Sequence, residues 1–212
     1  MLRDKAVKRI QRRLGFRDDQ AEEIIEAMQD AQFELERKAT LPWFLISELS
    51  SITTQVDEHR IPLPEGFLRE VEESGFFYFN PSAENVEDEW LELAKDDEDE
   101  LRKLYPGAGA PKGYCLIGPY FMVFPRPDAI YTIKLKFFEA DDILDSNIEN
   151  SWLEHAHDLI IASAGLDLAA STGDEKRVIL FTGMLARAEA RFEVEMEARD
   201  AANRRFVMGG VD

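Results

Sequence analysis

Both ends of the chain carry hydrophobic residues at helical spacing. In residues 18–38, apolar side chains recur every three or four positions, so they share one helix face with a single polar break at Gln32. Asp18 and Asp19 suit the start of this helix. Residues 3–14 predict a shorter, basic helix. The apolar positions of the longer helix are Ala21, Ile24, Ile25, Met28 and Leu35.

The last third of the chain predicts two further helices. The first has Asn150 or Ser151 as its N-cap and ends at Gly173. The second begins near Asp174 and runs to about Arg205. Because the connection between them is short, we expect the two helices to pack antiparallel. The second helix carries one apolar stripe, which consists of Val178, Phe181, Leu185, Ala188, Phe192 and Met196.

The middle of the chain predicts β-strands. Eight of the nine prolines lie between positions 62 and 127. Runs of β-branched and aromatic residues occur at 51–56 and 76–79, and each is typical of a short strand. A short helix is expected at residues 97–104.

Three apolar runs between residues 113 and 135 predict a small antiparallel meander. The first two runs meet at the turn dipeptide Gly118-Pro119, and a third, alternating run follows the segment Pro125–Asp128. Taken with the helical ends, this predicts an α+β fold. Residues 1–40 and 146–212 would form an α-helical bundle, and residues 41–145 an inserted antiparallel β-rich module.

Composition and charge narrow the class of protein. The net charge of −18 over 212 residues disfavours unspecific binding to nucleic acid or to an anionic membrane. The single cysteine, Cys115, excludes an intrachain disulfide, which fits a reducing cytosol. The N-terminus lacks the apolar segment of a secretory signal. The most apolar stretch, residues 159–168, is too short to span a bilayer.

The charges are unevenly distributed. Residues 84–100 hold ten acids against Lys95, and residues 139–175 hold ten more acids with no lysine or arginine. Such polarity favours pairing of acidic and basic faces between neighbouring copies, with plain solvated faces as the alternative. The basic residues gather at the two ends, at Arg3, Lys5, Lys8, Arg9, Arg12, Arg13, Arg199, Arg204 and Arg205.

No residue pattern indicates catalysis. The sequence lacks G-x-S-x-G, Walker A, G-x-G-x-x-G and H-E-x-x-H motifs. His155 and His157, two positions apart on a helix, point to different faces and do not converge on a metal ion. The acidic run Asp96–Glu100 lacks the ligand spacing of a calcium loop. Cys115 lies in an apolar strand and is expected to be a buried packing residue. We therefore expect no catalytic residue, no metal site and no cofactor.

Three segments together resemble a known family. Residues 61–69 read Ile-Pro-Leu-Pro-Glu-Gly-Phe-Leu-Arg, residues 113–118 read Gly-Tyr-Cys-Leu-Ile-Gly, and residues 124–128 read Phe-Pro-Arg-Pro-Asp. These segments resemble the motifs of tailed-phage adaptor proteins, the head-to-tail connector components beneath the portal. The order of helical start, β middle and long arginine-rich C-terminal helix also fits. The motif positions are Pro62, Leu63, Pro64, Gly113, Tyr114, Gly118, Pro125, Pro127 and Asp128.

The resemblance implies an assembly protein of the virion neck, made in the cytoplasm of a host bacterium. Such proteins form a ring, commonly of twelve copies, that docks on the portal protein and extends the channel through which DNA passes without specific binding. The helical bundle would build the ring, and the β part would face the next neck, tail or nozzle protein. The tail, residues 203–212, would reach the portal. The residues expected to bind it are Arg199, Arg204, Arg205, Phe206, Val207 and Met208.

Three alternative functions stay open at this point. A neck or tail-completion protein would occupy a layer further from the portal. A small cytosolic enzyme would use the acidic residues and a divalent metal ion. An acidic regulator would occupy a DNA-binding site by mimicry.

Overall fold

The computed structural model describes residues 3–15, 20–71, 76–79, 90–142, 144 and 150–208, the last nine of these as backbone only. It is a mixed structure of helices and largely antiparallel sheets, so the α+β class predicted from the sequence is confirmed. The chain divides into two compact units. The helical unit comprises Met1–Leu45 and Asp141–Asp212, and the sheet unit comprises Ile46–Ala140.

The helical unit is arranged around one buried helix, α5. Helices α1, α2, α4 and α6 all contact α5, which is apolar on most sides because eight of its residues are buried. A 3₁₀ turn at Trp43–Leu45 follows α2. The helices of this unit are α1 (Arg3–Leu14), α2 (Ala21–Glu36), α4 (Ser151–His155), α5 (His157–Ser171) and α6 (Glu175–Met208).

The helices predicted from hydrophobic spacing are present, with one correction. The predicted single helix from Asn150 to Gly173 is wrong, because it is interrupted at Ala156, whose backbone leaves the helical region at φ −136° and ψ 31°. Asn150 caps the first part, and Gly173, with φ +68°, follows the second. Asp18 and Asp19 lie outside the described residues.

The predicted stripe of α6 faces its neighbours. Phe181 and Ala188 are buried, and Val178, Leu185, Phe192 and Met196 are half-buried. The contact with α5 is close because Gly165 has no side chain there. A Cβ at position 165 would lie 2.1 Å from Cε1 of Phe181.

The sheet unit contains two sheets that share one core. The first has the order β1-β9-β4-β5 with β3 also on β9, and the second has the order β2-β8-β7-β6. Helix α3 (Glu98–Leu104) packs on β7, as expected for residues 97–104. The strands are β1 (Ile46–Thr53), β2 (Arg60–Pro62), β3 (Phe67–Glu70), β4 (Phe76–Phe79), β5 (Trp90–Glu92), β6 (Ala94–Lys95), β7 (Gly113–Ile117), β8 (Tyr120–Phe124) and β9 (Thr132–Glu139).

The predicted meander is only partly right. Strands β7 and β8 form the expected antiparallel hairpin. The third run is not its next strand, because β2 occupies the other edge of β8. Instead β9 pairs with β1, β3 and β4 in the other sheet, where Ile133, Leu135 and Phe137 enter the core. The strand predicted at 51–56 begins earlier, at Ile46, and ends at Thr53.

Candidate assembly surfaces

Arg199, the first of the residues expected to bind the portal, contacts its own chain. Its guanidinium carbon lies 3.7 Å from the ring centroid of Trp43. Its Nη2 atom lies 3.8 Å from Oε1 of Glu195, one turn earlier on α6. Arg199 therefore connects α6 to the 3₁₀ turn. The other expected residues, Arg204, Arg205, Phe206, Val207 and Met208, lie in the last turns of α6, where the structure gives the backbone helix alone.

An aromatic cluster holds the same stretch of α6. Phe44 contacts Trp152 edge-on at 5.1 Å between ring centroids, stacks on His155 at 5.1 Å and contacts Phe192 at 6.3 Å. Trp43 lies 4.9 Å from the ring of His155. These rings join the 3₁₀ turn, α4 and α6, so the stretch of α6 around Phe192 is fixed by aromatic packing.

A buried carboxyl group, Glu36, is hydrogen-bonded to Trp152 of this cluster. Its Oε1 atom accepts hydrogen bonds from Nε2 of Gln32 at 2.9 Å, Nε1 of Trp152 at 3.0 Å and the backbone N–H of Asp141 at 3.2 Å. Burial raises the pKa of Glu36 above its ordinary value, and these hydrogen bonds oppose the rise. Glu36 thereby connects α2 to α4 through polar contacts inside an otherwise apolar core.

A second carboxyl group, Asp141, fixes the start of α4. It accepts the backbone N–H of Ser151 at 2.5 Å and of Trp152 at 3.2 Å. Burial raises the pKa of Asp141, and the hydrogen bonds again oppose the rise. Sequence reasoning missed both carboxyl groups. The available signal was the polar pair at positions 32 and 36, four residues apart on the apolar face of α2.

A groove of about 540 Å³ lies beside this network in the helical unit. Its floor is apolar and comes from α2, α4, α5 and α6. Its rim carries Glu189, Glu193 and Glu197, which repeat every four residues along α6, and Lys38 pairs with Glu189 at 3.3 Å. The apolar floor consists of Leu35, Trp152, Leu159, Phe192 and Met196.

The motif residues of the sheet unit build its turns. Gly118, with φ +57°, and Pro119 form the two-residue connection between β7 and β8. Leu63 donates its backbone N–H to the carbonyl of Pro119 at 2.9 Å. Pro62 ends β2, and the carbonyl of Pro64 accepts the N–H of Phe67 at 3.2 Å, at the start of β3.

The remaining motif residues hold β7 and the segment after β8. Tyr114 is buried and donates its hydroxyl to Glu70 at 2.6 Å. Gly113 allows the strand to pass α3, because a Cβ there would lie 2.6 Å from Leu101. Asp128 accepts the hydroxyl of Tyr131 at 2.6 Å. Pro125 follows a cis peptide bond, and the carbonyl of Pro127 accepts the N–H of Asp57 at 2.9 Å.

Cys115 and the acidic residues were considered above as candidates for catalysis or metal binding. Cys115 is buried, and burial raises the pKa of its thiol. Over the described ranges, no group of three or more His, Cys, Asp or Glu side chains is arranged to hold a metal ion. Within the same part of the chain, no helix has the length and apolar character needed to cross a bilayer. Glu98, Asp99 and Glu100 of the acidic run form the first turn of α3.

The surfaces described so far comprise a helical unit with a long, aromatic-anchored C-terminal helix, and a sheet unit whose motif residues shape turns. A family model for the SU10 adaptor protein matches residues 3–209. The chain therefore belongs to this family of phage head-to-tail adaptors, and the resemblance inferred from the sequence is confirmed. Its role is that of a structural head–tail adaptor, and the family is not one of enzymes. A search of curated proteins finds no match.

Proposed function

We propose that the protein forms a ring of twelve copies on the portal of a tailed phage and carries the DNA channel into the neck. The C-terminal segment binds the portal through Arg204–Met208, with Arg199 as its anchor. The sheet unit contacts the next neck, tail or nozzle protein. The bundle of residues 1–40 and 146–212 builds the ring.

The observation that carries this proposal is the length and anchoring of α6. Its 34 residues span about 51 Å, whereas the 15 residues of α5 span about 22 Å. The contact of Arg199 with Trp43 fixes the helix near its end, and the backbone helix continues for nine residues beyond it. A helix whose end carries two arginines and then Phe206-Val207-Met208 suits a partner groove, because aromatic, methionine and arginine side chains are typical binding anchors.

The strongly acidic composition supports the passage of DNA. Phosphates are repelled by a negatively charged wall, so DNA moving past it does not adhere. A net charge of −18 in each copy supports a negatively charged wall of this kind.

The test uses the full-length protein and the portal ring from the same source. Native mass spectrometry of the mixture should give a portal bearing a second ring of fixed copy number. The variant with Arg204→Glu and Arg205→Glu should bind the portal about tenfold or more weakly, a loss of about 1.4 kcal/mol or more. A matched control reverses Lys176 and Arg187 on the same helix, and it should bind as the unaltered protein does.

Two outcomes would contradict the proposal. Equal binding by the Arg204/Arg205 variant and the control would exclude the C-terminal segment as the portal contact. An unaltered protein that ignores the portal and instead forms a ring on a lower neck component would assign it to the neck layer further from the portal.

A further inference from the structure

The outward side of α1 is a row of unpaired positive charge. Lys5, Lys8, Arg9, Arg12 and Arg13 are spaced i, i+3, i+4, i+7 and i+8, so they share one side of the helix, and all five are exposed. The opposite side of α1 packs into the helical core. None of the five forms an ion pair with any residue that the structure describes. We call this row the basic face.

The outward side of α2 is instead a row of negative charge. Glu22, Glu23, Glu26, Asp30 and Glu34 are exposed on one side of the helix, while its other side is buried. These five acids also form no ion pair within the described ranges. We call this row the acidic face.

The two faces carry equal numbers of opposite charges but do not neutralise each other. Helices α1 and α2 pack against one another, yet no ion pair joins the basic face to the acidic face. Phe33, 47% exposed, lies beside Glu34 near the C-terminal end of the acidic face and adds an apolar anchor there. Clustered like charges repel one another within a single copy, and an oppositely charged surface from outside relieves that repulsion.

We propose that the basic face of one copy binds the acidic face of the next copy around the ring. This inference rests on the ring assembly proposed above and identifies its contact surface. The interface is heterologous, because each copy offers its basic face to one neighbour and its acidic face to the other. Contacts of this kind close into a ring when the rotation between copies divides a full turn.

Charge pairing of this kind sets register and partner choice more than raw affinity. Salt screens this attraction, because the Debye length is about 8 Å at physiological ionic strength. Ring assembly should therefore weaken as salt is raised.

The test uses two charge-reversal variants of the full chain. The first carries Lys8→Glu and Arg12→Glu, which lowers the charge of its basic face from +5 to +1. The second carries Glu26→Lys and Asp30→Lys, which lowers the charge of its acidic face from −5 to −1. For each variant alone, the amount of adaptor ring formed on the portal should fall about tenfold or more. Native mass spectrometry measures this amount. The control with Lys176→Glu and Arg187→Glu has the same charge change as the first variant and should assemble normally.

Mixing the two variants provides the decisive measurement. In an alternating ring half of the contacts join two unaltered faces, and in the other half the introduced glutamates meet the introduced lysines. An equimolar mixture should therefore regain rings that contain equal numbers of both variants. A single chain with all four substitutions should also assemble. Because the altered side chains are exposed and unpaired, each variant should keep the circular dichroism spectrum and melting temperature of the unaltered protein.

The outcomes separate this inference from the proposed function. Normal ring assembly by each single variant, or a mixture that fails to regain rings, would overturn the inference while the adaptor ring stands. A mixture that yields only dimers would overturn the head-to-tail arrangement. An unaltered protein that forms no ring with or without the portal would overturn the proposed function itself.

Discussion

The lysine and arginine side chains of the two units differ in whether they have a partner within their own unit. In the sheet unit, eight lysines and arginines contact a carboxylate or an aromatic ring of the same unit, and Lys136 has no such contact in the described ranges. In the helical unit, the five bases of the basic face have no such contact in the described ranges, whereas Arg3 of the same helix pairs with Asp4. The paired bases of the sheet unit are Arg60, Arg69, Lys95, Arg102, Lys103, Lys112, Arg126 and Lys134.

The difference agrees with the proposed contact between copies through the helical unit. Exposed ion pairs contribute only about 0–1 kcal/mol each, so the pairing in the sheet unit matters little for stability. It does remove free charge from that surface. The helical unit instead keeps two separated rows of like charge, an arrangement that repels itself in one copy and attracts a complementary surface.

The largest expected effect comes from removing the central aromatic side chain of each unit. Phe181 in the helical unit and Phe121 in the sheet unit are fully buried. Phe181→Ala and Phe121→Ala should each cost about 3–5 kcal/mol of unfolding free energy. Hydrogen exchange should show faster exchange of amides in α5 and α6 for the first variant and in β7, β8 and β9 for the second. Loss of protection in both units from either change would mean that the cores are not separate.

The next effect tests the close contact between α5 and α6. Gly165→Ala places a Cβ 2.1 Å from the buried ring of Phe181, which is not free to move aside. The variant should lose about 1–3 kcal/mol in chemical denaturation. Gly183→Ala on α6 is the control, because nothing lies within 4 Å of its Cβ, and it should gain about 0.5–1 kcal/mol from helix propensity. Equal effects of the two changes would mean that no close packing is present at Gly165.

A smaller effect is expected at the corresponding contact in the sheet unit. A Cβ at Gly113 would lie 2.6 Å from Cδ2 of Leu101 and 3.0 Å from the carbonyl of Ala94. The leucine end can shift while the backbone carbonyl cannot, so Gly113→Ala should cost about 1 kcal/mol, the lower end of the range for overpacking. Gly107→Ala meets nothing within 4 Å and serves as the neutral control in the same denaturation experiment.

Helices could be predicted from this sequence more completely than sheets. The stripe from Val178 to Met196 repeats within one segment, so its spacing alone placed α6 and its buried face. The partners of β9 could not be predicted in that way. Strand pairing joins distant segments, and the short β2 takes the edge of β8 that a meander would have given to β9.

The features of the assembly surfaces could likewise be predicted only where the residues involved are close together in the sequence. The polarity of charge at the chain ends was visible in the sequence, because the basic residues of α1 are close together in it. The polar contacts of Glu36 were not, since Trp152 and Asp141 are more than 100 residues away. Only the tertiary structure brings them together.

The smallest expected effect comes from Glu36. It compares this buried carboxyl group with the exposed carboxyl groups of the same helical unit. Burial raises the pKa of Glu36, so the folded state holds its proton more tightly than the unfolded state does. The resulting stability is fully present below the unfolded pKa, near 4.5, and is lost as the pH rises through the folded value. Glu36→Gln keeps an acceptor for Trp152 and removes the titration. Its unfolding free energy should therefore fall less between pH 4.5 and 7 than that of the unaltered protein.

Glu34→Gln is the matched control for this measurement, because Glu34 is an exposed residue of the same helix. It should leave the pH dependence almost as it is in the unaltered protein. Denaturant titrations at four or five pH values give the slope of stability for each variant. If Glu36→Gln and Glu34→Gln changed that slope equally, the pH dependence would come from the total charge of the helical unit rather than from the buried carboxyl group that joins α2 to α4.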